Sequence, residues 1–150
     1  MNIGQRCNRR VVTIGQGEPV LEAARRMRDE HVGDLVVVEE RDGRRVPVGM
    51  LTDRDIVVGL VARDVSRIAQ LDIGDILTRE VVTATENEDI ESALGRMQRQ
   101  GIRRMPVVDG EGALVGIFTV DDLLGLLSED LLTVVALIGR ERRQEVAQRG

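Results

Sequence analysis

A chain of 150 residues, 42% apolar and 31% charged, can bury one substantial core or two small ones and is too apolar to stay disordered. Its net charge of −5, from 26 acids against 21 bases, argues against a nucleic-acid footprint, which needs a clustered basic excess. All 21 bases are arginine, which excludes a phosphate-loop lysine, a Schiff base and a lysine nucleophile.

The chain opens on Ile3-Gly4, read as a short part-helical segment. Val11-Val12-Thr13 is a β-branched run, the loop Gly15–Glu18 follows, and Pro19 suits the first turn of a helix. Val20, Ala23, Ala24 and Met27 then fall on one apolar stripe of that helix. Leu35–Val38 is a strand-length apolar run, Arg41-Asp42-Gly43 a turn, and Val46–Leu51 a second strand, which together make a hairpin. A helix carrying Ile56, Val57, Leu60 and Val61 ends this first unit, and residues 63–72 read as a linker. Ile73-Gly74 opens the second unit, whose helix stripe is Ile90, Ala93, Leu94 and Met97. Its hairpin runs Met105–Val108, turn Asp109–Gly112, strand Ala113–Phe118, and its last helix carries Leu123, Leu124, Leu126 and Leu127. Beyond Ser128 a separate terminal helix is expected over 129–146, apolar over more than one face through Leu131, Leu132, Val134, Val135, Leu137 and Ile138. Such a helix either lids its own domain or serves self-association.

The two units are one sequence written twice. Residues 3–40 align on 73–110 without a gap and with twelve identities, among them Ile3/Ile73, Gly4/Gly74, Thr13/Thr83, Glu18/Glu88, Arg26/Arg96 and Met27/Met97. After a three-residue slip Gly49-x-x-Thr52-x-x-Asp55 faces Gly116-x-x-Thr119-x-x-Asp122. A duplicated β-α-β-β-α unit of the α+β class follows, with repeats over 3–62 and 73–128. Each unit is small for an independent core, so the copies should bury their sheets against each other about a pseudo-twofold axis.

Little in the chain suits catalysis or metal binding. Cys7 is the only cysteine and reads as an apolar repeat position matching Leu77; His31 is the only histidine and reads as a polar helix end. With no Trp or Tyr and a single Phe, Phe118, aromatic base-stacking platforms are absent. No N-terminal apolar run resembles a signal sequence, and Leu131–Ile138 falls short of a membrane span, so a cytoplasmic location and no membrane partner are expected.

Thr-x-x-Asp at the step from strand to helix admits two readings. One is a capping box, in which threonine and aspartate satisfy the first backbone N–H groups. The other is a ligand site, where the helix start and threonine hydroxyl hold phosphate and the carboxylate accepts from a ribose diol. Arg103-Arg104 reads either as a solvated loop or as phosphate-directed, and Arg140, Arg142 and Arg143 as a solvated helix face.

The element order, the duplication and the paired Gly-x-x-Thr-x-x-Asp steps, together with Ile102-Arg-Arg-Met-Pro-Val-Val-Asp109, resemble the tandem cystathionine-beta-synthase (CBS) domain pair. That resemblance implies a non-enzymatic regulatory module, here without an attached enzyme or channel, that dimerises and signals to an unidentified effector protein. It implies an adenosine-containing ligand, AMP, ADP, ATP or S-adenosylmethionine, in clefts between the repeats. By the family pattern one cleft pairs Thr119 and Asp122 with Val12, Val32, Gly33 and Asp34, with Arg103 and Arg104 reaching phosphate. The other pairs Thr52, Arg54 and Asp55 with Val82 and Ile102. Asp34 stands where the second copy has Arg104, and Asp121 where the first has Arg54, so the two clefts should differ in their taste for charge. The alternative is a ligand-free interaction or stress-response protein on the same fold.

Overall fold

A computed structural model describes residues 2–77 and 80–149; Arg79, the repeat partner of Arg9, lies outside them. The chain divides into two compact units, Met1–Phe118 and Thr119–Gly150. The first unit holds β1 (Thr13–Gly15), α1 (Val20–Glu30), β2 (Asp34–Arg41) and β3 (Arg44–Thr52). A broken helical stretch follows: α2 (Asp53–Ile56), a π-helical turn over Val57–Val61, α3 (Ala62–Asp64) and a 3-10 turn over Val65–Gln70. Then come α4 (Ile73–Ile76), β4 (Ala84–Thr85), α5 (Ile90–Gln100), β5 (Arg104–Val108) and β6 (Leu114–Thr119). The second unit is α6 (Val120–Arg149).

Each repeat is the expected β-α-β-β-α unit, with sheets ordered β1-β2-β3 and β4-β5-β6. β1 runs parallel to β2 and begins at Thr13 rather than Val11, because the ladder registers Thr13 on Val36. Val12 contributes only its carbonyl, which accepts from Val36 N–H at 3.1 Å. The apolar stripe of α1 turns inward as the 3.6-residue period requires, burying Val20, Ala23 and Met27 against Leu35, Val37 and Leu51. Val36, on the opposite face of β2, is also fully buried, so the continuous valine run is covered on both sides. Both helices end in a left-handed cap, His31 at φ 55° and Gly101 at φ 64°. In each the cap N–H donates to carbonyls three and four residues back.

The repeats are tied by a reciprocal exchange of their opening segments. Ile3 and Gly4 donate backbone N–H groups to Glu88 and Glu86 carbonyls of the second repeat, both at 2.8 Å. Ile73 and Gly74 donate to Glu18 and Gln16 of the first, both at 2.9 Å. These bonds map onto each other by the repeat offset, which is the pseudo-twofold in atomic detail. Each segment carries a fully buried isoleucine into the other copy's territory. Gly4 is required by this crossing, since a Cβ there would sit 2.8 Å from Glu86 O. Downstream, Cys7 and Leu77 pass over the hairpins. A Cβ on Gly116 would lie 2.6 Å from Cys7 Sγ, and one on Gly49 2.9 Å from a Leu77 methyl.

Two expected boundaries move. The stretch 63–72 is ordered against the first core, with Ile68 and Leu71 packed on it and Val20 N–H bonded to Leu71 O at 3.0 Å. The terminal helix expected over 129–146 is the C-terminal part of α6, which runs unbroken through Ser128 with no proline to interrupt Val120–Arg149. Its side chains Leu124, Leu127, Leu131, Leu132, Val134, Val135, Leu137 and Ile138 are each about half or more exposed, with Leu132 at 68%.

Candidate functional site

The step from β3 to α2 forms the capping box that its spacing allows. Asp55 N–H donates to Thr52 Oγ1 at 3.1 Å and Thr52 N–H donates to Asp55 Oδ2 at 2.9 Å. Asp55 Oδ1 makes no hydrogen bond among the described residues. At the start of α6, Asp122 N–H donates to Thr119 Oγ1 at 3.0 Å, while the Thr119 N–H and hydroxyl donate to Asp122 Oδ2 at 3.2 and 2.7 Å. Both repeats thus use one carboxylate oxygen for the cap and leave the other.

Asp55 and Arg54 line a cavity of about 700 Å³. The rest of its wall comes from the broken helical stretch and α4: Val58, Gly59 and Leu60 of the π turn, then Arg63, Asp64, Arg67, Leu71, Asp75 and Ile76. A π turn widens the helix locally, a distortion frequent at functional sites. Val82 and Ile102, expected opposite Asp55, are half-buried and do not line this cavity. Sequence reasoning missed Arg63 and Arg67, since 63–72 carries no period to mark it as a wall, and Asp75, which α4 brings to the same wall.

Val12 and Val32 pack against the first core, and Val32 N–H donates to Met27 O at 3.0 Å as part of the α1 cap. Ile102 repeats that bond to Met97 O at 3.0 Å. Gly33 O accepts from Asp53 N–H at 2.9 Å, and a Cβ on Gly33 would stand 3.2 Å from the Asp53 carboxylate. Arg103 is exposed. Arg104 does not extend toward solvent as a phosphate hook: its guanidinium pairs with Asp34, the residue at the equivalent position of the other repeat. Residues equivalent by the pseudo-twofold touch only near its axis, so this pair marks the seam. Burial pushes the Asp34 carboxyl up from its ordinary range; Arg104 pulls it back in part, and the nearby Asp53 charge adds to the rise.

Among the described residues no group of three or more His, Cys, Asp or Glu side chains could hold a metal ion, and no helix is long and apolar enough to cross a membrane. A sequence model of the CBS domain matches the chain twice, over residues 3–62 and 73–129. The chain belongs to the CBS domain family. Among relatives of this CBS pair, the uncharacterized protein MK0525 of Methanopyrus kandleri is 34% identical over 124 residues, 83% of this chain but 61% of that protein, so the chain spans under two thirds of its length. The CBS domain-containing protein YhcV of Bacillus subtilis is 36% identical over 113 residues, 75% of this chain and 76% of its own. The solved CBS domain pair of protein MJ0100, in complex with 5′-methylthioadenosine and S-adenosyl-L-methionine, superposes with a TM-score of 0.72. It is 26% identical and the match covers 87% of this chain and 98% of that one.

Proposed function

We propose that this CBS pair is a regulatory module without catalytic activity of its own, binding an adenosine-containing ligand at its Thr-x-x-Asp steps and reporting occupancy through the arrangement of its repeats. One observation carries the reading: Asp55 caps α2 with a single oxygen and lines a cavity of ligand size, leaving Oδ1 to accept from a ribose hydroxyl. Thr52, with Arg54 beside it, sits where phosphate meets a helix start. Thr119 and Asp122 repeat the chemistry at the start of α6. Of the residues expected opposite them, Val12, Val32, Val82 and Ile102 offer aliphatic surface and Gly33 an approach for backbone. Asp34 competes with phosphate for Arg104. The bound MJ0100 pair supports an adenosine class, with AMP, ADP and ATP as further candidates.

The module works as a homodimer in this reading, in the cytoplasm, and passes its state to an effector protein. Support for self-association comes from Val57, Val58 and Val61, exposed at 54, 50 and 44%, and from the apolar length of α6. That same surface favours the second reading, an interaction or stress protein that needs no nucleotide.

Asp55→Asn separates cap from ligand. The amide oxygen still accepts from Thr52 N–H but supplies no second anionic oxygen, so adenosine-ligand binding should fall at least tenfold while the free protein melts unchanged. Asp55→Ala should lose both, with a stability cost of about 0.5–2 kcal/mol from the cap. No thermal shift of the wild type with AMP, ATP or S-adenosylmethionine refutes the reading in favour of the interaction protein.

A further inference from the structure

The middle of α6 is apolar around more of its girth than one neighbour can cover. Leu124, Leu127, Leu131, Val134 and Ile138 follow each other at alternating steps of three and four residues, the spacing of a heptad seam, and each is between 49% and 64% exposed. At 3.6 residues per turn, Val135 and Leu132 stand to one side of that seam and Leu137 to the other, and these flanking side chains are more than half exposed as well. Over Leu131–Ile138 the apolar arc is therefore roughly 220° wide, against the stripe of roughly 100° that a helix buries on one core. Thr133 and Ala136 close the circle, and the Thr133 hydroxyl turns back to donate to Glu129 O at 3.0 Å.

Charge divides the same helix by sign. Val120–Asp130 carries Asp121, Asp122, Glu129 and Asp130 without a base, and Gly139–Arg149 carries four arginines against two glutamates. The helix dipole favours that polarity only within the first and last turn, whereas Glu129 is the tenth residue of α6 and Arg140 the tenth from its end. Turned end for end, a second α6 sets its basic third against this acidic third and its uncharged middle, Leu131–Ile138, against the same segment. A parallel copy would set like charge against like. The end-for-end contact is isologous, so the partner that fits this surface is the chain itself. The acidic third makes an anionic membrane a poor occupant. Apolar flanks on both sides of the seam call for an antiparallel neighbour on both, and a ring of such neighbours closes only with an even number of helices, of which four is the smallest. We infer that α6 carries assembly beyond the proposed homodimer, to a tetramer held by an antiparallel bundle of four α6 helices. The homodimer of that reading is half of this assembly, which needs no nucleotide to form.

The test is sedimentation equilibrium of the full chain, with helix content followed by circular dichroism. Wild type should sediment at four times the chain mass at micromolar concentration. L132Q/L137Q keeps the seam and removes its flanks, so it should weaken the tetramer at least tenfold and leave a dimer; both positions are exposed and glutamine is a good helix former, so helix content should not change. R140E/R142E/R143E makes both ends of α6 acidic and should also weaken the tetramer at least tenfold. Adding E129R/D130R to that variant reverses the polarity of the whole helix and should restore association to within about threefold of wild type, which neither a parallel bundle nor a foreign partner would produce. A tetramer that L132Q/L137Q leaves intact, indifference to R140E/R142E/R143E, or failure of the fully reversed helix to recover overturns the inference. The two readings fail differently. A wild type that stays dimeric ends the tetramer and keeps the homodimer, while a monomer that floats with phosphatidylglycerol vesicles ends both. A tetramer that behaves as expected yet shows no thermal shift with adenosine ligands keeps this inference and ends the ligand reading.

Discussion

Replacing Arg104 by Met tests the seam between the repeats where it is most sensitive. Asp34 is 17% exposed and its only ion-pair partner among the described residues is Arg104, itself 33% exposed. Removing one partner of a fully buried pair costs about 3–5 kcal/mol because the other charge is stranded. Discounting for the solvent that reaches the guanidinium, roughly 1–3 kcal/mol is expected here, or roughly 3–9 °C in Tm for a domain of this size. The pH dependence has a definite sign. Burial already raises the Asp34 carboxyl above its ordinary 3.8, and Arg104 opposes that rise by charge and hydrogen bond. Without Arg104 the folded-state value climbs further. A carboxyl raised on folding contributes stability that is complete below its unfolded value and is lost as pH rises through its folded value. The gap between wild type and R104M should thus be small near pH 4 and widen to a plateau toward neutrality, as read by urea unfolding across that range. D34N should cost less than R104M, since a partly exposed guanidinium can turn its head to water, and D34N/R104M should recover much of the R104M loss. A gap of the same size at every pH, or an R104M protein as stable as wild type at pH 7, refutes the stranded-carboxylate argument.

Gly116→Ala should destabilise by about 1–3 kcal/mol, since its methyl would meet Cys7 Sγ at 2.6 Å and the Asn8 carbonyl at 3.0 Å; Gly49→Ala should cost less, because only the mobile methyls of Leu77 stand in the way, and denaturant midpoints rank the two. His31→Gly should stabilise by up to about 1 kcal/mol by relieving a left-handed cap that the second repeat fills with Gly101, seen as a raised Tm. Burial opposes ionisation of Glu18, but the Gly15 amide and the Arg26 guanidinium outweigh it and hold the carboxyl below its ordinary 4.5. That stability is present above pH 4.5 and lost as pH falls through the lowered value, so a Glu18→Gln penalty of about 0.5–1 kcal/mol near neutrality should shrink on acidification.

The sequence discloses what is periodic and local. The 3.6-residue stripes of α1 and α5, the valine runs of β2 and β5 and the two capping boxes are each written within a dozen residues, and each forms as spaced. The exchange of opening segments is not legible in that way, because nothing local to Ile3-Gly4 says whose turn it docks on. Its only traces are glycines whose reason becomes visible once Glu86 and Cys7 are seen against them. The cavity was hidden for a related reason: Arg63 lies in α3, between a π turn and a 3-10 turn, and Arg67 in the 3-10 turn, so the helical period breaks around both and the stretch read as linker.

Comparing the repeats with each other sorts scaffold from specificity. Positions identical in both copies have the same structural duty twice over. Glu18 pairs with Arg26 at 2.7 Å and Glu88 with Arg96 at 2.6 Å, each bracing a strand-to-helix turn, while Gly4 and Gly74 admit the crossing segments. Positions where the copies carry opposite charge cannot share a structural duty. Asp34 and Arg104 differ because they meet across the axis and must complement each other. Arg54 and Arg63 stand against Asp121 and Asp130 at the equivalent places. If the Thr-x-x-Asp steps hold ligand as proposed, a duplicated site that keeps its box and reverses its surrounding charge has two halves tuned to different ligands, or to one ligand at very different strength. The asymmetry that a regulator needs to respond in steps would then reside in four side chains and not in the fold.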